Sequence, residues 1–455
     1  MHYEKFSDGS VKCIEDEIPF ELPDGWAWAR LSSIADMALG KMLDVAKNKG
    51  SLRPYLRNIN VRWGTFDLSD TLEMRFEDNE LERYSICYGD LVMCEGGEPG
   101  RCAVWKSEEV VFYQKALHRV RAIEILPEYL YYVIRRFIIS NQYEKYYTGT
   151  TIKHLTGQSL RMLPIPLPPL NEQKLIVEHL QRIIEEIDKI EMRKTEAFSL
   201  VSLAKSKILD LAIRGKLVPQ DSNDEPASVL LERIRAEKEE LIRQGKIKRD
   251  KKESVIFRGE DNSYYVRQDT HTESIDEQFI FELPDNWEWC SLLNIAKIEL
   301  GKTLDSAKNI GTNYPYLRSV NVRWNEVDLS DLKEMRFEPE ELDRYTVRRN
   351  DLLICEGGDV GRSCVWTDEK EILYQNALHR VRFYGGCNPF YFMYYMMYYE
   401  SRGIIKALCK GVTIKHLTGN VLSLIPFALP PIEEQGRIVE RLNRIFVLLN
   451  SIICD

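Results

Sequence analysis

The sequence predicts an α+β chain: two homologous mixed α/β modules separated by long helices suited to a coiled-coil spacer. Three observations carry that expectation. Trp26-Ala27-Trp28 returns as Trp287-Glu288-Trp289, Leu39-Gly40-Lys41 as Leu300-Gly301-Lys302, and Ala116 to Arg121 as Ala377 to Arg382, each displaced by 261 positions. A long stretch of helical periodicity lies between the copies, and a shorter one follows the second. Length and composition, 455 residues at 44% hydrophobic and 29% charged, describe folded domains with cores of their own rather than a disordered or fibrous chain.

The first module is assigned residues 1–168. Within it Arg57 to Trp63 and Ala116 to Arg121 alternate as strands, Asp90 to Cys94 reads as a short buried strand, and Tyr129 to Ile139 as an aromatic-rich helix. From Pro54 to Arg121 about 40 of some 68 positions are identical to the second copy, which identifies a duplicated module rather than a solenoid. At Thr151 to Gly157 the offset becomes 262, so the second copy gains one residue after Arg121.

Residues 169–250 form a central helical region. After Pro168-Pro169, apolar residues recur at helical spacing from Ile176 to Leu211, and Gly215 supplies a stop. A helix over Asn171 to Arg214 would be roughly 65 Å long and needs a partner along its apolar stripe. A second charged helix is expected over Ala227 to Gln244, with Pro226 at its start. The polar stretch 251–277 is expected to be a linker. The second module occupies 278–431, and a C-terminal helix of roughly 35 Å fills 432–455, which makes the helical pair unequal.

The net charge of −9 is unusual for a nucleic-acid binder and confines any such role to local basic clefts. Ten cysteines without a C-x-x-C pair indicate reduced structural thiols and no metal site. The absence of an export signal or spanning segment points to the cytoplasm.

Cys94 to Arg101 and Cys355 to Arg362 are glycine-rich turns that suit either a tight hairpin or close approach to a phosphate. They are neither Walker loops nor dinucleotide fingerprints. Arg57, Asn60, Arg62, Gln114 and His118, with Arg318, Asn321, Arg323, Gln375 and His379, are the residue types that read base edges. His118 is equally suited to a core position satisfied by a backbone carbonyl. Lys41, Arg101 and Lys153, with Lys302, Arg362 and Lys415, are the types that hold phosphates. Thr151 and Thr413, which open the matched stretches, complete the candidate DNA-binding set. No hydrolase, metalloprotease or kinase motif is present, and Asn388-Pro389-Phe390 lacks the second proline of an adenine-methylase motif, so the chain reads as non-catalytic.

With these pieces in order, the chain resembles the DNA specificity subunit of Type I restriction-modification systems. The residues that carry the likeness are Gly89-Asp90-Leu91 leading into Cys94-Glu95-Gly96-Gly97, Lys115 to Arg119, Thr151 to Gly157, Ile165 to Gln173 and Gly215 to Gln220. The resemblance covers nearly the whole chain. It implies two target-recognition domains, each reading half of a bipartite double-stranded DNA site, held apart by antiparallel helices. It also implies two modification (methyltransferase) subunits docked on those helices, and restriction subunits that translocate and cut. S-adenosylmethionine, ATP and magnesium are then expected on partner subunits, with no cofactor on this chain. Because the two modules are so alike, their half-sites are expected to be similar and inverted. The alternative is a paired DNA-binding module or regulator of the same fold acting without a methylase.

Overall fold

The computed structural model describes residues 2–249, 254–261, 263–268, 271–275, 281–305, 309–409 and 416–454. They divide into two compact units, Met1–Glu191 and Met192–Asp455, with the boundary falling inside the longest helix.

The first unit runs β1 (Tyr3–Lys5), β2 (Val11–Cys13), β3 (Ala27–Arg30), α1 (Leu31–Ile34), β4 (Ala35–Leu39), β5 (Ser51–Leu56), β6 (Leu72–Phe76) and β7 (Ser85–Ile86). It continues with β8 (Leu91–Cys94), β9 (Cys102–Val104), β10 (Val111–Tyr113), β11 (Leu117–Ala122), α2 (Pro127–Ile139), α3 (Gly157–Arg161) and β12 (Pro164–Leu167). Two four-stranded sheets, ordered β6-β5-β10-β7 and β4-β11-β8-β9, form its body, and β3 pairs with β12. All four residues of β8 are buried, because a central strand covered on both faces needs apolar side chains throughout. Helix α2 starts at Pro127, whose missing N–H costs nothing at a first helical position, and lays Leu130, Ile134 and Phe137 against that sheet.

Helix α4 (Leu170–Ile213) follows, a continuous helix of 44 residues that fits the expected spacer. Gln173 fixes its start: buried, it accepts from the Leu126 N–H at 2.9 Å and donates to the Pro168 carbonyl at 2.9 Å. Next come α5 (Ala227–Arg243) and the strands β13 (Ser254–Arg258), β14 (Tyr264–Gln268) and β15 (His271–Ser274). The stretch 251–277 is therefore corrected. Its described residues form a three-stranded antiparallel sheet, β13-β14-β15, rather than a linker, since Val255, Phe257, Tyr265 and Val266 supply strand-forming side chains among the polar ones.

The second module repeats the first. It contains β16 (Glu288–Ser291), α6 (Leu292–Ile295), β17 (Ala296–Leu300), β18 (Thr312–Leu317), β19 (Val322–Arg323), β20 (Glu326–Val327), β21 (Lys333–Phe337), β22 (Thr346–Val347) and β23 (Leu352–Cys355). Then follow β24 (Ser363–Val365), β25 (Ile372–Tyr374), β26 (Leu378–Phe383), α7 (Pro389–Ser401), α8 (Ile404–Leu408), α9 (Gly419–Leu424), β27 (Pro426–Leu429) and α10 (Ile432–Cys454). Sheet orders β21-β18-β25-β22 and β17-β26-β23-β24 match those of the first module.

Helix α10 has 23 residues against 44 in α4. Lys205 of α4 donates to Asn450 of α10 at 2.5 Å, while Gln220, just beyond α4, donates to Glu434 at 2.6 Å, so the two helices run antiparallel. Leu209, Ala212 and Ile213 of α4 join Ile438 and Leu442 of α10 and the aromatic face of α7 in one core. Ile183, Ile187, Ile190, Leu200 and Leu203 of α4 remain exposed. No helix among the described residues is long and apolar enough to cross a membrane.

Candidate nucleic-acid interface

At one end of each module five loops are tied to one another by backbone and side-chain bonds. In the first, the Lys115 N–H donates to the Lys41 carbonyl at 2.7 Å and the Glu95 N–H to the Ala116 carbonyl at 2.9 Å. Asn58 Nδ2 donates to the Gly96 carbonyl at 2.9 Å, and the Leu155 N–H to the Glu95 carbonyl at 2.7 Å. The loops around Lys41, Asn58, Gly96, Lys115 and His154 thus form one tip. The second module repeats the framework: Asn376 N–H to Lys302 carbonyl at 2.7 Å, Glu356 N–H to Ala377 carbonyl at 2.9 Å, Leu417 N–H to Glu356 carbonyl at 2.9 Å.

Glycine is required in two of these places. A Cβ on Gly40 would lie 2.2 Å from the Gln114 carbonyl oxygen, and one on Gly301 2.1 Å from that of Gln375. The glycine-rich turn is a tight turn: Gly97 and Gly358 take positive φ of 79° and 77°. The Arg101 guanidinium closes it by bonding Glu98 and donating to the Asn58 carbonyl at 2.9 Å.

Several expected contact residues are inside this framework, and the expectation for them is corrected. Asn60 is buried. Its Oδ1 accepts from the Arg57 N–H at 2.9 Å, and its Nδ2 donates to the carbonyls of Asp67 and Asp70, both at 2.9 Å. Asn321 makes the same set with Arg318, Asp328 and Asp331. The stretch Arg57 to Trp63 is accordingly no strand. Asn58–Asn60 is a 3-10 turn built around that asparagine, whose local hydrogen bonds compete successfully with a ladder.

His118 and His379 are also buried. His118 Nε2 lies 3.0 Å from the Leu155 carbonyl and His379 Nε2 2.9 Å from that of Leu417, so each pins the fifth loop to the central sheet. Burial pulls both imidazoles below the ordinary histidine value, with the carbonyl bond opposing. Lys41 is enclosed by Glu77 and Glu80, and Lys302 by Glu338 and Glu341. Burial disfavours the Lys41 ammonium, but the two carboxylates outweigh it and hold its pKa above the ordinary lysine value. These lysines are internal struts with no charge to spare for a phosphate.

Arg57 is held by Asp70 at 2.8 Å and Arg318 by Asp331 at 2.7 Å, while Arg101 and Arg362 clamp their turns through Glu98 and Asp359. Those four are committed to structure as well.

Other expected residues do face solvent at the tip. Arg62 is about half exposed, with Asp67 at 3.6 Å, and Arg323 is exposed. Gln114 and Gln375 are half-buried. Thr151 and Lys153 are exposed, Lys153 resting beside Glu144 and over the Tyr147 ring. Thr413 and Lys415 lie outside the described residues.

Lys115, noted in the sequence as a position that differs from its counterpart Asn376 but not placed in the candidate set, is exposed on this tip, and sequence reasoning passed over the solvent-facing apolar residues Ile59, Val320 and Ile152. Ile59 and Val320 crown the 3-10 turns beside Arg62 and Arg323, where an apolar group suits a thymine methyl. The signal was available: Lys115/Asn376 and Ile59/Val320 differ between copies within otherwise matched runs.

Each module thus presents polar and apolar side chains on a cluster of loops tied together by hydrogen bonds. The family model for the Type I restriction modification DNA specificity domain matches residues 23–197 and again 284–453, and the chain belongs to that family. Its role is DNA recognition in a restriction-modification system. It is 24% identical to the specificity subunit of the Type I restriction enzyme EcoAI of Escherichia coli, over 96% of this chain and 80% of that one. It is 23% identical to the EcoKI specificity subunit of Escherichia coli strain K12, over 95% and 84%. Among solved structures it is similar to a chain of a type I restriction-modification complex, with a TM-score of 0.66 at 19% identity, covering 96% of this chain and 93% of the other. The HsdS subunit of Thermoanaerobacter tengcongensis gives a TM-score of 0.52 at 19% identity with the same coverage. At these identities the structural likeness establishes the fold.

Proposed function

We propose that this chain is the non-catalytic specificity subunit of a Type I complex, in which each repeat reads one half of a bipartite DNA site. The carrying observation is that the two tips share one framework, with matching partners at Asn60/Asn321, His118/His379 and Lys41/Lys302. A common framework presenting Arg62 and Arg323 alike favours similar half-sites in inverted orientation. Differences between the half-sites then trace to Lys115/Asn376, Asn58/Ser319 and Ile59/Val320. Arg62, Gln114, Thr151 and Lys153, with Arg323, Gln375, Thr413 and Lys415, are the members of the candidate set that would meet DNA.

Two modification subunits dock on α4 and α10, whose exposed apolar positions offer packing surface, and restriction subunits join that assembly. S-adenosylmethionine, ATP and magnesium belong to those partners, and the complex works in the cytoplasm. With the partners contributing phosphate contacts, a net charge of −9 is compatible with DNA binding.

Methylome sequencing of a strain carrying the system tests the reading. Two similar inverted adenine-containing half-sites are expected, and two unrelated half-sites would overturn the shared-framework argument. Co-purification with the modification subunit separates this function from a free-standing DNA binder, which would recruit none.

A further inference from the structure

Most of the positive charge at the second tip is neutralised within it. Lys302 is enclosed by Glu338 and Glu341, Arg318 is held by Asp331, and Arg362 by Asp359. Affinity for a duplex comes largely from cations set against its phosphates, so a module that reads DNA is served by free cations near its tip.

A groove of about 500 Å³ on the flank of the same module carries them. Helix α5 and the turn after it form one wall, and α6 with β17 the other. Arg235, Lys238, Lys246, Lys248, Lys297 and Arg344 line it, against the carboxylates of Glu239 and Glu299. Both carboxylates are engaged, Glu239 by Arg249 at 2.5 Å, and Glu299 by Arg380 and by Lys297 at 3.0 Å. Arg235, Lys246, Lys248 and Arg344 are exposed and make no ion pair among the described residues. The Arg344 guanidinium only rests over the Tyr345 ring.

The groove is preformed. Lys238 donates to the Leu293 carbonyl at 3.2 Å, and the Gly385 N–H donates to Glu237 at 3.0 Å. Ile234 packs on Gly385, where a Cβ would lie 2.4 Å from it, so α5 is seated against the module. Cations held together in this way repel one another until an anion enters.

Position and extent favour DNA as that anion. Lys297 precedes Lys302 on the strand that leads to the tip, by roughly 17 Å at about 3.3 Å per residue. The major groove is about 8.5 Å deep and about 12 Å wide, so a duplex seated on the tip sets its phosphate rows back along the flank, within reach of long basic side chains. The lining runs from Arg235 to Ile242, roughly 10 Å along α5, and on through Lys248. That spread suits successive phosphates of one strand better than a single compact anion.

The first module has no such groove. The counterpart of Lys297 is Asp36, paired with Arg119 at 2.8 Å, and the described residues ahead of β3 hold no equivalent of α5.

We infer, on the DNA-reading role proposed above, that the groove between α5 and β17 holds the phosphate backbone of the DNA bound by the second module. Arg235, Lys246, Lys248 and Arg344 are its contacts, and the first half-site lacks the equivalent.

The test is fluorescence anisotropy of the full chain on a long random-sequence duplex over a series of salt concentrations. Arg235→Gln, Lys246→Gln, Lys248→Gln and Arg344→Gln together are expected to lower the salt slope by about 3, and Lys297→Asp alone by about 1. Arg182→Gln, Arg193→Gln, Lys194→Gln and Lys207→Gln on α4, the same change in net charge, should leave it unaltered. An unchanged slope in the groove variants, or an equal fall in the α4 variant, would overturn the inference while leaving the DNA-reading role intact. ATP that displaces the duplex from the wild-type chain at micromolar concentration, but not from the groove variant, would reassign the groove to a nucleotide. A wild-type chain that binds no duplex would sink the DNA-reading role itself, and this contact with it.

Discussion

His118 Nε2 lies 3.0 Å from the carbonyl oxygen of Leu155, and this bond joins the central strand β11 to the loop that closes the recognition tip. Burial depresses the imidazole pKa in the folded state below the ordinary 6.5, so the unfolded chain binds protons more readily. The associated stability is complete above about pH 6.5 and is lost as pH falls below it. Urea midpoints measured between pH 7.5 and 5 are expected to fall with pH. In the His118→Gln, His379→Gln chain that slope should flatten.

The struts at Lys41 and Lys302 separate a structural from a phosphate-binding role. Lys41→Met leaves Glu77 and Glu80 facing an uncharged group and is expected to cost about 1–3 kcal/mol of stability, discounted from the fully buried case because both carboxylates are about one-third exposed. The salt slope of DNA binding should not change. Lys41, followed by the Lys49 N–H, holds Glu77 at about 2 in the folded state against an ordinary 4.5. A depressed carboxylate stabilises above its unfolded value, so the gap in urea midpoint between wild type and Lys41→Met should narrow as pH falls from 4.5 toward 2.

Asn60→Ala removes one acceptor and two donor interactions from a buried turn and is expected to destabilise the first module by about 3 kcal/mol. Differential scanning calorimetry reads this as a lowered transition temperature. Reading of the half-site served by the second module should persist, because Asn321 holds an equivalent and separate turn.

Arg62→Ala and Arg323→Ala act on binding rather than on stability. If either guanidinium meets a base, its loss should cost about 1–3 kcal/mol and relax specificity at one position of one half-site. If it meets a phosphate, affinity should drop for all sequences and the salt slope should decrease by about 1. Fluorescence anisotropy at two or three salt concentrations distinguishes these outcomes.

The repeat, α4, α10 and α2 were legible because periodicity and identity survive in one dimension. What was less legible is instructive. Asn60 and Arg62 belong to one short motif and look alike as base-readers, yet one is sealed in a turn and the other faces water. Residue type states hydrogen-bonding capacity, whereas burial depends on Asp67 and Asp70 folding back over Asn60, several residues further on. Lys41 misled similarly, since its carboxylate partners lie 36 and 39 positions away. The sheet within 251–277 escaped notice because its strands are short and mix polar with apolar side chains, which leaves little alternation to detect.

The glycine beneath Ile234 reaches beyond packing. Transplanting the Ala122–Ile125 stretch of the first repeat into the second position would drive the Glu124 side chain into the connecting helix. The two repeats are thus not interchangeable at this point: a second repeat with Glu124 in the place of Gly385 should lose the seating of Ile234, since a Cβ there would lie 2.4 Å from that side chain.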